Sequence, residues 1–337
     1  TDGDDVRFAH DLIRVAAYEG LAVRRRRAVH ARAVDVLEGW GADAPLSDPV
    51  SALAFHAAGA GDAERTVRWS GQAADTALTT GATAVAIGLY EAVADAQRQL
   101  HAAPAARVAT LRQLARAAER AGRPDTGLDA LVRATRLADP PTRGEVAVDR
   151  ARLLARTGQY RSALSLATRA AHATDDPVVQ ADLQLSQATV RNLLGDLRAT
   201  LELAERVLAH PVAGDNPSIA AQAHLLAELA CSALGRPDRE AHDNAAERLL
   251  VELGDTVRLA NLYLNRGVSA YVDSRIDDAI ASLELSAEHY RRAGDVLGEA
   301  TADNNLGEAL TVQFRLDEAE RRLTRSRRVS AAAGDPY

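Results

Sequence analysis

A Gly-Asp pair recurs through the second half of this chain at a constant interval. Steps of 40 residues separate Gly214-Asp215, Gly254-Asp255, Gly294-Asp295 and Gly334-Asp335. Glycine suits the left-handed position just past a helix end, and aspartate can accept a bond from the free N–H groups that open the next helix. We therefore expect each pair to join two successive helical hairpins. Repetition at this period is typical of stacked helical arrays.

A second repeated segment marks the turns between helices. It consists of a small residue, an apolar residue two places on, and another small residue three places after that. Copies of it occupy residues 60–67, 80–87, 121–128, 157–164, 194–201, 234–241, 273–280 and 313–320. The later copies carry Ala163, Thr200, Ala241, Ala279 and Ala319 at the last small position, where two helix backbones can approach closely. The pattern predicts about eight helical hairpins.

The composition favours an all-α fold. Hydrophobic residues make up 47% of the chain but aromatic residues only 4%, and alanine and leucine, which favour helices, dominate. A chain of 337 residues is too long for one ordinary compact domain, whereas a repeat array grows by adding units. We therefore predict an all-α solenoid of helical hairpins with a period near 40 residues.

Residues 304–323, NNLGEALTVQFRLDEAERRL, resemble a tetratricopeptide repeat. Asn305-Leu306-Gly307 match the Asn-Leu-Gly of the family's first helix, and Ala319 matches the alanine of its second helix. The resemblance extends over residues 46–337 and implies a right-handed superhelix with a groove lined by the first helix of each unit. We expect this solenoid to be truncated at its C-terminal end.

The groove that the resemblance implies is the candidate binding site. By alignment of the repeats, its contacts would be Arg152, Asn192, Asn265, Tyr271, Asn304, Asn305 and Glu308. Amide side chains can bind the backbone of an extended peptide, so a protein or peptide ligand is expected there. A structural role is the alternative for Asn265 and Asn305, which could instead hydrogen-bond neighbouring hairpins together.

The N-terminal segment carries a second resemblance. Residues 7–38 read RFAHDLIRVAAYEGLAVRRRRAVHARAVDVLE, with two amphipathic helical stripes. The segment is similar to the end of the winged-helix module that follows the nucleotide-binding core of STAND-type ATPases. That group includes actinobacterial LuxR-type regulators and ATPase-linked adenylate or guanylate cyclases. Residues 1–45 would then be a helical junction to an ATPase core; alternatively, they are two helices that cap the array.

Several classes of function find no support in the sequence. The chain contains no lysine, so it has no Walker A loop, and no catalytic constellation or cofactor motif is present. The nine histidines form no metal motif, and Cys231, the only cysteine, is expected to be a small buried hydrophobe. A net charge of −7 argues against nucleic acid, and no apolar run is long enough for a membrane span. A cytoplasmic location is expected.

We expect two arginine clusters to be solvated surface. Residues 24–27 are four consecutive arginines, which point all around a helix and so cannot form one binding stripe. The run ERRLTRSRR at residues 320–328 is expected to be a solvated face as well.

Together these features predict a non-catalytic arm of a larger bacterial signalling ATPase. The arm would bind a protein, peptide or effector and relay that occupancy through the junction to the ATPase core. The alternative is a stand-alone scaffold of tetratricopeptide repeats that binds peptide segments of partner proteins.

Overall fold

The computed structural model describes residues 11–41 and 46–333, and all the regular structure in these ranges is helical. The prediction of an all-α, tetratricopeptide-like helical repeat is confirmed. The chain divides into two compact units, residues 1–159 and residues 160–337. The predicted boundary near residue 45 stays a prediction. No helix in the described ranges is both long and apolar enough to cross a membrane.

The first unit contains eight helices. They are α1 (Asp11–Glu19), α2 (Val23–Trp40), α3 (Pro49–Ala60), α4 (Ala63–Thr79), α5 (Thr83–Gln99), α6 (Pro104–Arg120), α7 (Pro124–Leu137) and α8 (Pro140–Arg156). Each helix from α2 to α7 packs against the next one along the chain. One buried cluster of this unit includes Leu111, Leu114 and Leu131, at the contact between α6 and α7.

The second unit contains ten helices. They are α9 (Tyr160–Ala173), α10 (Pro177–Leu193), α11 (Leu197–Ala209), α12 (Pro211–Asp215), α13 (Pro217–Leu234), α14 (Arg239–Leu253), α15 (Thr256–Val272), α16 (Ile276–Ala293), α17 (Val296–Val312) and α18 (Leu316–Ala333). Close hairpins are formed by α13 with α14, α15 with α16, and α17 with α18. All eight predicted turns connect consecutive helices, and those at 60–67 and 80–87 share α4.

Two of the four Gly-Asp pairs form the predicted joint. Gly254 and Gly294 end helices with φ of 64° and 70°, and Asp255 and Asp295 then cap α15 and α17. The prediction is wrong for Gly214-Asp215, which lies inside the short helix α12. There Asn216 caps the next helix by accepting from the N–H of Ile219, because the inserted α12 moves the joint along the chain. Gly334-Asp335 lies outside the described residues.

The small residues of the repeat allow the helices of a hairpin to approach closely. A Cβ on Gly267 would lie 2.6 Å from Cγ of Leu283 on α16 and 3.2 Å from the carbonyl oxygen of Ala279. Gly307 meets Leu323 and Ala319 of α18 in the same way. The Asn-x-Gly segments of α15 and α17 are therefore fixed at the contact with the second helix.

Hydrogen bonds between aromatic side chains connect α1, α2 and α3. Nε2 of the buried His30 lies 2.8 Å from the hydroxyl of Tyr18, and its Nδ1 lies 2.9 Å from Nδ1 of His56. His30 therefore acts here as a packing and hydrogen-bonding residue. The arginines at 24–27 are mainly exposed, as predicted, although the Arg26 guanidinium lies over the Tyr18 ring.

Candidate functional site

Two asparagines occupy equivalent positions on neighbouring helices of the second unit. Asn265 lies on α15 and Asn305 on α17, one repeat apart, and both are half-buried. Among the described residues, neither side chain has a hydrogen-bond partner. The structure therefore does not contain the hairpin-to-hairpin bonds that were the alternative role for these residues. We call Asn265, Asn304 and Asn305 the amide face.

Beside the amide face, α15 and α17 carry polar residues near their middles and exposed apolar residues towards both ends. Asn304 donates from Nδ2 to Oε1 of the exposed Glu308 at 3.0 Å, one helical turn away. The position equivalent to Glu308 on α15 is Val268, which is 41% exposed. Exposed apolar residues flank this centre at equivalent places on the two helices: Val257 and Val272 on α15, and Leu297 and Val312 on α17.

Helix α17 is held in place by buried carboxylates. Asp303 is fully buried and pairs with Arg322 at 2.7 Å and Arg325 at 3.1 Å. Glu299 pairs with Arg325 and Arg291, each at 2.7 Å. The prediction that residues 320–328 form a solvated face is thus wrong for Arg322 and Arg325, because these two arginines neutralise carboxylates that would otherwise be buried without a partner.

Helix α15 is anchored to α14 by a comparable network. The Tyr263 hydroxyl donates to Oε1 of Glu247 at 2.5 Å, and Arg266 binds Glu247 and Asp243 at 2.7 and 2.8 Å. Burial, together with the Glu247 carboxylate, raises the pKa of Tyr263 to about 12, so the hydroxyl stays a donor. Both helices of the amide face therefore rest on a fixed support, which limits the entropy that a ligand must remove on binding.

The other predicted contacts lie apart from the amide face. Tyr271 packs against the buried cluster of Ile280 and Leu306, and so contributes to the core. Asn192 lies near the end of α10, half-buried and without a side-chain hydrogen bond to a described residue. Arg152 is exposed on α8, in the first unit.

A basic cleft in the first unit was not foreseen from the sequence. Four arginines from three helices line a cavity of about 320 Å³, namely Arg98, Arg107, Arg133 and Arg136. Arg98 pairs with Asp95, whereas no carboxylate among the described residues pairs with the other three. Guanidinium groups that converge in this way can hold an anion. The only sequence signal was the helical spacing of Arg133 and Arg136 on α7.

Comparison with known proteins gave similar solved structures but no match to a protein family. No protein-family model matches the chain, and no curated protein sequence matches it. Aspartyl phosphate phosphatase F from Bacillus subtilis has a TM-score of 0.63 and 11% identity over 97% of this chain and 85% of its own. The Rap conjugation gene regulator of the plasmid pLS20, solved with a Phr peptide, has a TM-score of 0.60 and 11% identity over 87% and 78%.

A third similar structure is a STAND protein with a tetratricopeptide repeat sensor from Pyrococcus horikoshii. Its TM-score is 0.51 and its identity 12%, over 98% of this chain and 53% of that protein. This chain has the fold of a tetratricopeptide-like repeat protein. At these identities the likeness concerns the fold, and the helical repeat matches only about half the length of the STAND protein.

Proposed function

We propose that the second unit binds an extended peptide segment across the amide face of α15 and α17. The observation that carries this proposal is that Asn265 and Asn305 are half-buried, equivalent in the repeat and free of hydrogen bonds to described residues. A side-chain amide offers two donors and one acceptor, which match the N–H and C=O groups of a peptide backbone. Two such amides one repeat apart hold a strand-like segment at two points.

The surroundings of the amide face define the ligand further. Exposed Val257, Val268 and Val272 line α15, so apolar side chains of the peptide find contacts beside the amides. Glu308 contributes a carboxylate, which favours a basic or N–H-rich group at that position. The ligand we propose is an extended segment with alternating apolar and polar residues and a positive charge towards α17.

The role of the complete protein is proposed to be that of a sensor arm in a STAND-type ATPase. The resemblance of residues 7–38 to the winged-helix junction supports this role, as does the similar fold of the archaeal STAND sensor. In this mechanism the peptide shifts the ATPase only if it binds the active and resting forms with different affinity. The alternative is a scaffold in which α1 and α2 only cap the array.

Site-specific photocrosslinking tests the binding proposal. A photoreactive residue would be placed at Val268 or Glu308 on the amide face, and at the exposed Glu284 on α16 as the matched control. We expect peptides from a cell lysate or a displayed library to crosslink at positions 268 and 308 and not at 284. Equal crosslinking at all three positions would contradict the proposal.

The ATPase role is tested by the reading frame upstream of residue 1. We expect a Gly-x-x-x-x-Gly-Lys-Ser/Thr loop between a strand and a helix, and ATP turnover by the full-length protein that changes when the crosslinked peptide is added. A start codon close to residue 1 would favour the scaffold and leave the peptide-binding proposal intact.

A further inference from the structure

Side chains with metal-binding atoms converge between α13 and α14. The ligand atoms of Cys231, Asp238 and His242 all lie within 4.8 Å of one another. His224 adjoins this group, since its Nδ1 lies 3.0 Å from Nδ1 of His242. His224 and Cys231 lie two turns apart on α13, and Asp238 and His242 lie one turn apart on the start of α14. The antiparallel hairpin brings the two pairs together.

Asp238 differs from the other aspartates that directly precede a helix in the described ranges. Eight helices in the described ranges begin after an aspartate, and in seven of them its side chain accepts from a backbone N–H of the first turn; these are Asp48, Asp62, Asp139, Asp176, Asp196, Asp255 and Asp295. Asp238 forms no such cap. Its carboxylate instead faces Arg236 and Cys231.

We propose that Cys231, Asp238, His242 and His224 form a binding site for a divalent metal ion of the zinc type. Sulfur, imidazole and carboxylate ligands in a set of four are those of tetrahedral zinc sites. One thiolate and one carboxylate balance the charge of the ion. The ion would link the end of α13 to the start of α14. There the N–H groups of the first turn lack the side-chain hydrogen bond that an N-cap aspartate usually provides.

Binding of the metal ion would release one proton, that of the Cys231 thiol. A metal–sulfur bond forms as the S–H bond of Cys231 breaks, and its proton passes to solvent. The imidazole proton that lies between the two Nδ1 atoms moves to the Nε2 of its own ring, with no net release. Asp238 binds through one oxygen while Arg236 keeps the other. Partly exposed Asp238 and His242 provide the entry for the ion.

Metal titration of the whole chain tests this proposal. After treatment with a chelator, Zn²⁺ would be titrated by calorimetry in two buffers of different ionisation enthalpy at pH 7. We expect one ion per chain, a Kd in the micromolar range or below, and release of about one proton per ion. Co²⁺ in place of Zn²⁺ should give a sulfur-to-cobalt charge-transfer band.

Variants separate this site from adventitious binding. Cys231→Ser should abolish the charge-transfer band, and both it and His242→Gln should weaken Zn²⁺ binding at least a hundredfold. Because Cys231 is buried, the partly exposed His242→Gln variant covers the case in which Cys231→Ser disturbs folding. His172→Gln, at an exposed histidine on α9, is the control and should change nothing. No binding by the folded chain, or the same Kd for all variants, would overturn the proposal.

Discussion

Gly307 on α17 and Leu323 on α18 lie so close that a Cβ on residue 307 would be 2.6 Å from Leu323 Cγ. Alanine favours a helix over glycine by about 1 kcal/mol, but overpacking a core costs about 1–3 kcal/mol. Since the contact involves the middle of the leucine side chain, we expect the clash to dominate. Gly307→Ala should lower the free energy of unfolding by about 1–2 kcal/mol in urea denaturation.

A glycine without such a contact gives the matched control. Gly88 lies inside α5, and a Cβ there meets nothing within 4 Å. Gly88→Ala should therefore stabilise the chain by up to about 1 kcal/mol. If both substitutions changed stability in the same direction, the close approach of α17 and α18 would not be the cause.

Phe314 lies in the turn between α17 and α18 with an unfavourable backbone. Its φ is 60° and its side chain is 85% exposed, whereas the equivalent turns use Gly158, Gly195 and Gly235. The left-handed conformation costs a residue with a Cβ about 1–2 kcal/mol. Phe314→Gly should therefore stabilise the second unit by about 0.5–1 kcal/mol, after the larger entropy of unfolded glycine is subtracted. Phe314→Ala keeps the strain, and an equal gain from it would contradict this account.

Stability should fall as the pH is lowered from about 6.5 to 5. Burial, reinforced by the neighbouring His242 and Arg248 side chains, lowers the pKa of His224 to about 4, and burial also lowers the pKa of His56. A histidine in the unfolded chain has a pKa of about 6.5, so in this window the unfolded state binds more protons than the folded state.

The loss is measured by urea denaturation at pH 7.5, 6.5 and 5.0 with a chelator present. We expect His224 to account for about 1 kcal/mol between pH 6.5 and 5, with allowance for its partial exposure. His224→Gln should flatten the pH dependence by that amount. An unchanged slope in the variant would show that His224 is not held neutral.

The basic cleft predicts selective stabilisation by anions. Arg107, Arg133 and Arg136 converge without carboxylate partners among the described residues, so their mutual repulsion is relieved when an anion binds. Phosphate should raise Tm more than chloride at equal ionic strength, by about 1–3 °C. The double variant Arg133→Gln/Arg136→Gln should lose this difference, while Arg123→Gln, at an exposed position just before α7 and outside the cleft lining, should keep it. Equal shifts in all three proteins would contradict the prediction.

The repeat and its joints could be predicted from the sequence because their causes are local. Gly294 and Asp295 act on the helix ends next to them, so their spacing alone indicated the helix boundaries. The prediction failed at Gly214-Asp215 because the pair carries only local information, and nothing in it indicates the extra helix α12.

The pairing of charged residues could not be predicted, because the partners lie on different helices. Arg322 binds Asp303 from 19 residues away, and the register of α17 against α18 decides that this carboxylate is buried. The ligands between α13 and α14 are likewise spaced 7, 7 and 4 residues apart, which matches no sequence motif for a metal site. Alignment of the repeats gave Asn265 and Asn305 as candidate contacts, and the structure adds that their amides have no hydrogen-bond partner among the described residues.

The most direct test of the amide face is the affinity of a crosslinked peptide for asparagine variants. Calorimetric titration would compare the unaltered chain with Asn265→Ala/Asn305→Ala and with Asn244→Ala, whose exposed asparagine lies on α14. Each lost hydrogen bond is worth about 0.5–1.5 kcal/mol, so the loss of two should raise the Kd of the double variant by about 5-fold to 100-fold. The Asn244→Ala control should keep the original Kd. Equal affinities for all three proteins would show that the peptide does not bind at the amide face.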